Sequence, residues 1–209
     1  YDWNWWWNNN DNSGNKIIDL SNATNKDNQI RLYLGNGDDQ ITGSAASETI
    51  NAGNGNNTID AGDGNNSITS GSGADTITSG VGDDTIDSGD GNDTITAGAG
   101  NDTINAGAGA DIITAGAGND TIIGGPADNS DLNDIACYSG KSTDYSISRV
   151  TDATYGYIYF LRDKRDGSPD GLDTLKGVES LRFLGDKKDE TIAIKTYWRT
   201  TTTDFVFNS

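Results

Sequence analysis

Isoleucine marks this chain with one strict period. Ile41, Ile50, Ile59, Ile68, Ile77, Ile86, Ile95, Ile104, Ile113 and Ile122 fall nine residues apart without a miss, and the positions between them are mostly polar, glycine or alanine. Self-similarity of this kind predicts a solenoid, because a unit with one apolar residue cannot bury it alone and must stack on its neighbours. The intervening residues repeat too, as in SGSGADTIT (70–78), SGVGDDTID (79–87), SGDGNDTIT (88–96), AGAGNDTIN (97–105) and AGAGNDTII (115–123). The unit is small-Gly-x-Gly-x-Asp-Thr-Ile-x. It divides into a six-residue glycine-rich turn and a three-residue strand whose isoleucine points opposite to its two neighbours. Two units then make one flattened coil of eighteen residues, lined by isoleucine from both sides. Helix is excluded, since two glycines per unit would each cost about 1 kcal/mol relative to alanine. Five coils rising by one strand spacing, about 4.8 Å, form a rod roughly 24 Å long.

Composition sharpens this picture. Only 33% of the 209 residues are apolar, below the about 45–50% of ordinary globular chains, so a conventional layered core is not expected. The 14 Lys and Arg against 32 Asp and Glu leave a net charge of −18, which argues against nucleic acid and anionic membranes as partners and for cations. The absence of histidine removes Ser-His-Asp and Cys-His nucleophile systems and zinc sites of the HExxH type. No segment reaches the ~18 apolar residues of a membrane span, so no membrane insertion is expected. A single cysteine, Cys137, cannot form an internal disulfide, which leaves a metal as the leading staple for so thin a core. The chain has no methionine, so it is expected to be a processed form or a fragment.

The sixth position of each unit carries the candidate chemistry. Asp39, Glu48, Asn57, Asn66, Asp75, Asp84, Asp93, Asp102, Asp111 and Asp120 stand there, and stacking brings every second one into register. Columns of carboxylates about 5 Å apart repel unless a hard dication sits between them. Calcium suits the position, because it accepts oxygens from side chains and turn carbonyls alike. Glycine allows the positive φ that such turns require. The competing reading is a metal-free solenoid in which Asn and Asp only make turns.

These units resemble the GGxGxDxUx nonapeptides of the RTX (repeat-in-toxin) family of secreted calcium-binding proteins. The resemblance covers residues 34–123 and implies a right-handed parallel β-roll, all-β, with several bound Ca2+ ions. It departs where Ala or Ser replaces the first glycine. The family pattern implies sites shared by turns eighteen residues apart, with carbonyls from the second and fourth positions below and the first and third above. One edge would then carry Gly71, Gly73, Asp75, Ser88, Asp90 and Asp93, followed by Gly89, Gly91, Asp93, Ala106, Ala108 and Asp111. The other would carry Gly80, Gly82, Asp84, Ala97, Ala99 and Asp102, followed by Gly98, Gly100, Asp102, Ala115, Ala117 and Asp120. Asp39, Asn57 and Asn66 belong to sites expected to be weaker or empty: each asparagine supplies a neutral oxygen for a carboxylate, and GSAASETIN (43–51) has lost both turn glycines.

Three regions follow: an aromatic and Asn-rich N-terminal tail and cap (1–33), the calcium-binding β-roll (34–138) and a β-rich C-terminal cap (139–209). After Gly124 the frame slips, which predicts a five-residue bulge before a last coil ending at Tyr138, with Cys137 outside-facing or half-buried. Residues 144–161 alternate like a hairpin of larger strands. DGLDTLKGVESLRFLGD (170–186) resembles the segment that follows RTX arrays in type I-secreted proteins, and Asp204 before Phe205, Val206 and Phe207 looks like their C-terminal export signal. Tyr1, Trp3, Trp5 and Trp7 would share one strand face, either as a cap with KIIDL (16–20), as a contact with another subunit or as a sugar-stacking surface.

The functional expectation is a secreted, non-enzymatic calcium-binding structural protein, exported by a type I system. It would fold on extracellular calcium and self-assemble as a homo-oligomer, a filament or matrix subunit at the cell surface, with Trp3, Trp5 and Trp7 as the subunit contact. The first alternative is the export and folding module of a larger enzyme or adhesin. The second is an ice-binding surface built on Thr76, Thr78, Thr94 and Thr96, a column that fails at Asp60 and Ile112.

Overall fold

A computed structural model describes residues 6–8, 14–23, 30–125, 133–185 and 190–194. The nine-residue period becomes two parallel ladders. Ile41, Ile59, Ile77, Ile95 and Ile113 are register partners in one. Ile50, Ile68, Ile86, Ile104 and Ile122 are partners in the other. Successive units therefore alternate between sheets and two make one coil, giving an all-β solenoid of about five turns, as the sequence predicts. All ten isoleucines are at most 2% exposed, so one side chain per nine residues does build a continuous core.

The two sheets are not equivalent. The strands Ser67–Thr69, Thr85–Asp87 and Thr103–Asn105 have the expected three residues. Their counterparts Thr76–Val81, Thr94–Ala99 and Ile112–Ala117 have six, because the ladder continues past isoleucine through Gly80, Gly98 and Gly116. The small first position is also explained. Ala52, Ala61, Ser70, Ser79, Ser88, Ala97 and Ala106 are fully buried, lining the interior where the coil narrows into its turn. Ser70, Ser79 and Ser88 then donate their hydroxyls to the carbonyls of Ser88, Ala97 and Ala106, one coil on.

Parallel pairing runs beyond residues 34–138 at both ends. Trp6–Asn8 pairs with Ile30–Asn36, and Ile17–Asp19 with Gln40–Ser44. At the other end Leu172–Lys176 lies on Thr121–Ile123, and Ser180–Phe183 on Ile135–Tyr138. Ile113 pairs with Ala136, a step of 23 residues in place of 18, which is the five-residue bulge. The predicted hairpin forms from Tyr145–Asp152 and Gly156–Asp163, and its second strand pairs antiparallel with Leu172–Lys176.

One expectation is corrected. Cys137 is buried, at 6% exposure, where an outside-facing or half-buried residue was expected. It alternates outward from Ala136 and Tyr138 but is covered between Thr114 and Arg182, and burial pushes its thiol pKa up. That environment keeps the thiol protonated and inert. Below it Tyr138, Tyr145 and Phe183 pack with ring centroids 5.2–5.9 Å apart and close the solenoid's interior.

Candidate metal centres

Each turn is shaped by its two glycines. Gly89 and Gly91 have φ of 97° and 148°, and a Cβ on Gly91 would stand 1.8 Å from the carbonyl oxygen of Gly73 in the coil before. Any side chain there is forbidden by both backbone conformation and stacking distance. Only glycine lets turns eighteen residues apart bring carbonyls this close.

Stacking produces two ladders of buried acids. Along one edge the backbone N–H of Asp75 donates to Asp93 Oδ1 at 2.8 Å, and that of Asp93 to Asp111 Oδ1 at 2.7 Å. Along the other, Asp84 donates to Asp102 Oδ1 at 2.9 Å and Asp102 to Asp120 Oδ1 at 2.8 Å. The pattern reaches back to the N-terminal cap, where Lys16 N donates to Asp39 Oδ1 at 2.7 Å. Every sixth-position residue named from the sequence lies in one of these columns and is buried.

Those bonds satisfy one oxygen of each aspartate, and the Ser44 hydroxyl satisfies one oxygen of Glu48. The second oxygen of Asp39, Glu48, Asp75, Asp84, Asp93, Asp102 and Asp120 is buried and accepts no hydrogen bond. A buried anion with half its lone pairs unmet is expensive, and the pKa values carry that cost. Burial raises Asp75 and Glu48 to about 6 and Asp102 to about 7. Asp84, Asp93 and Asp120 are raised for the same first reason. Among the described residues the ion pairs are those of Arg165 in the C-terminal region, and Lys16 acts on Asp39 alone, so the arrangement calls for a bound cation or for protons.

Among the described residues no three His, Cys, Asp or Glu side chains gather on one point. A cation here must take two carboxylates and complete its shell from turn carbonyls, a donor set of hard oxygens that suits calcium. Several of the turn carbonyls named from the sequence already accept one hydrogen bond between coils. Gly71 and Gly89 accept backbone N–H groups from Asp90 and Ala108, and Asp90, Ala108, Ala99 and Ala117 accept from Gly73, Gly91, Gly82 and Gly100. Each keeps a second lone pair.

The sequence reaches as far as Asp134, whose Oδ1 accepts Asp111 N at 2.9 Å. Sequence reasoning missed that the ladders run on: Asp134 N donates to Glu179 Oε2 at 3.0 Å, and Asp120 N to Asp173 Oδ1 at 2.9 Å across 53 residues. Burial, with Asp120 adding to it, pushes Asp173 up to about 8. The signal was present: SPDGLDTLK (168–176) is a nonapeptide with Gly171, Asp173, Thr174 and Leu175 at positions four, six, seven and eight. Leu175 accordingly stacks on Ile122.

Trp7 lies in the strand paired with Leu32, whereas Trp3 and Trp5, like Asp204 to Phe207, fall outside the described residues.

Residues 31–59, 42–77, 60–95, 69–104, 78–113 and 96–130 match the family model for the RTX calcium-binding nonapeptide repeat (4 copies). None of the curated proteins matches the chain.

Proposed function

We propose that this chain, whose residues 31–130 are RTX calcium-binding nonapeptide repeats, is a secreted structural protein that folds on extracellular calcium and assembles end to end. The observation that carries this reading is the pair of buried carboxylate columns in which Asp75, Asp84, Asp93, Asp102 and Asp120 each hold a second oxygen that accepts no hydrogen bond. Calcium at the four sets built on Asp75/Asp93, Asp93/Asp111, Asp84/Asp102 and Asp102/Asp120 would supply the missing charge. Without it a chain of net charge −18 with a core one isoleucine wide stays expanded. RTX repeats are typical of type I-exported proteins, and export of an expanded chain into millimolar calcium couples folding to arrival outside the cell. Nothing in the sequence supplies a histidine-based nucleophile, and the array's buried aspartates are committed to the ladder and its cation, which favours a non-enzymatic role.

Assembly is favoured by the difference between the two ends. The N-terminal end presents Trp6–Asn8 and Ile17–Asp19 as the last parallel strands, whereas the sheets end at the other side in the antiparallel strands Tyr145–Asp152 and Glu190–Ala193. Unlike ends that join do so heterologously, and such contacts propagate into filaments. Trp3, Trp5 and Trp7 are the proposed anchors, since desolvated aromatics dominate interface energetics. Deleting residues 1–10 is expected to abolish calcium-dependent oligomers in light scattering while β-structure persists. A truncated chain that still forms the wild-type assembly would refute the contact.

The export-module reading is favoured by the segment 170–186, whose strands Leu172–Lys176 and Ser180–Phe183 stack as the solenoid's last coil. The native mass separates the two, because the subunit reading requires a species near 22.0 kDa per chain and the module reading a larger one.

A further inference from the structure

Two sixth-position residues are asparagines, Asn57 on one edge and Asn66 on the other, and both are buried. Their carboxamide oxygens join the ladders as the carboxylates do, accepting Asp39 N at 3.0 Å and Glu48 N at 2.8 Å. That bond fixes the orientation of the amide: with the oxygen committed to an N–H, the NH2 faces the turn. Asn57 Nδ2 donates there to the carbonyls of Gly55 at 3.0 Å and Ser70 at 3.2 Å. Asn66 Nδ2 faces three, those of Gly62 at 3.3 Å, Gly64 at 3.1 Å and Ser79 at 3.2 Å.

By nonapeptide position these acceptors are the second and fourth carbonyls of the lower turn and the first of the upper. They are the backbone positions proposed as calcium ligands wherever the sixth residue is aspartate. In an aspartate turn the atom isosteric with Nδ2 is an oxygen that accepts no hydrogen bond, as in Asp75, Asp84 and Asp93. The backbone frame is the same and the charge presented to it is opposite. An amide N–H attracts converging carbonyls, whereas a carboxylate oxygen repels them unless a cation intervenes.

We infer that Asn57 and Asn66 do the cation's work in their own turns, each NH2 holding the carbonyls that calcium would otherwise hold, so that these two sites close without an ion and take none. The expectation of weaker or empty sites at Asn57 and Asn66 is thereby narrowed to empty ones closed by the amide itself. A cation entering either turn would have to displace the N–H donors and would gain a single carboxylate, from Asp75 or Asp84. The solenoid is then divided along its axis. The turns that Asn57 and Asn66 close need no metal, whereas Asp39 and Glu48 before them and Asp75, Asp84, Asp93 and Asp102 after them each hold a buried oxygen without a donor. The asparagine turns form a preformed step on which the metal-dependent coils stack.

This inference rests on the aspartate turns being calcium sites, and counting ions separates the two claims. The full chain and its Asn57→Asp, Asn66→Asp and doubly substituted forms are equilibrated with saturating calcium, and bound calcium per chain is measured by equilibrium dialysis. At least one additional ion is expected for each single substitution and at least two for the double. Unchanged counts above zero overturn the inference, and a wild-type chain that binds none overturns the calcium reading itself. Hydrogen exchange of the wild-type chain in EGTA gives a second test that needs no variant. The backbone amides of Asp39 and Glu48, which donate to the asparagines, should exchange at least tenfold more slowly than those of Asp75 and Asp84, which donate to Asp93 and Asp102. Equal exchange in the two sets overturns the division.

Discussion

The repeat array and the C-terminal cap bury carboxylates to the same depth and balance them in opposite ways. Asp163 in the cap is 2% exposed, and Asp102 in the array is 2% exposed. Burial pushes Asp163 up, but the Arg165 guanidinium and the backbone N–H groups of Arg165 and Asp170 outweigh it, leaving its pKa below the ordinary carboxylate value. Arg165 reaches Asp163 and Asp170 at 2.8 Å each, and also donates to the Tyr145 phenol at 2.9 Å. Asp102 has one backbone N–H and no cationic side chain, and its pKa rises to about 7. The cap therefore carries its counter-charge in its own sequence, whereas the array must import one. This difference makes the array, and not the cap, a sensor of the ions around it.

The largest effect should come from aspartates shared by two proposed sites. A site filled at about 100 times its dissociation constant contributes about 2.7 kcal/mol, so Asp93→Ala or Asp102→Ala, each damaging two, should cost about 5 kcal/mol in saturating calcium. Asn57→Ala removes three hydrogen bonds and should cost about 3 kcal/mol, equally with or without calcium. Urea midpoints measured in calcium and in EGTA decide between them. Equal losses at Asp93 and Asn57 would remove the distinction between the two kinds of turn.

A smaller effect should separate array from cap by pH in EGTA. The folded pKa values of Asp75 and Asp102, about 6 and about 7, lie above the unfolded value of 3.8. Their contribution to stability is therefore fully present below pH 3.8 and is lost as pH rises through 6 to 7. Asp163 is lowered, so its contribution is present above 3.8 and is lost only as pH falls through its still lower folded value. Acidifying from pH 8 to pH 5 should accordingly increase the metal-free array's β signal in circular dichroism and leave the cap's near-ultraviolet aromatic signal unchanged. A β signal that declines over this window would contradict the assigned burial of the array carboxylates.

Much of this contrast could be read from residues alone, and the reason is local repetition. Ile41 to Ile122 set the period, the period set the coil, and the coil placed Asp75 over Asp93 without further information. The five-residue step to Asp134 was legible because the frame resumes soon after it. Asp173 was not, since a hairpin separates it from Asp120 and only its DTL triplet betrays the repeat. Cys137 was misjudged because alternation assigns a side chain to a face but does not reveal that Arg182, 45 residues later, covers that face. Orientation of the Asn57 and Asn66 amides depends on hydrogen bonds from the preceding coil, which no single unit contains.

The central claim is that at neutral pH the aspartate turns from Asp75 and Asp84 onward fold only when a cation fills their carboxylate columns, and calcium titration into the EGTA-treated chain tests it most directly. Far-ultraviolet circular dichroism should show a large part of the chain's β signal forming cooperatively as calcium is added and disappearing again with excess EGTA. A full β spectrum in EGTA at neutral pH, unchanged by calcium, would contradict it.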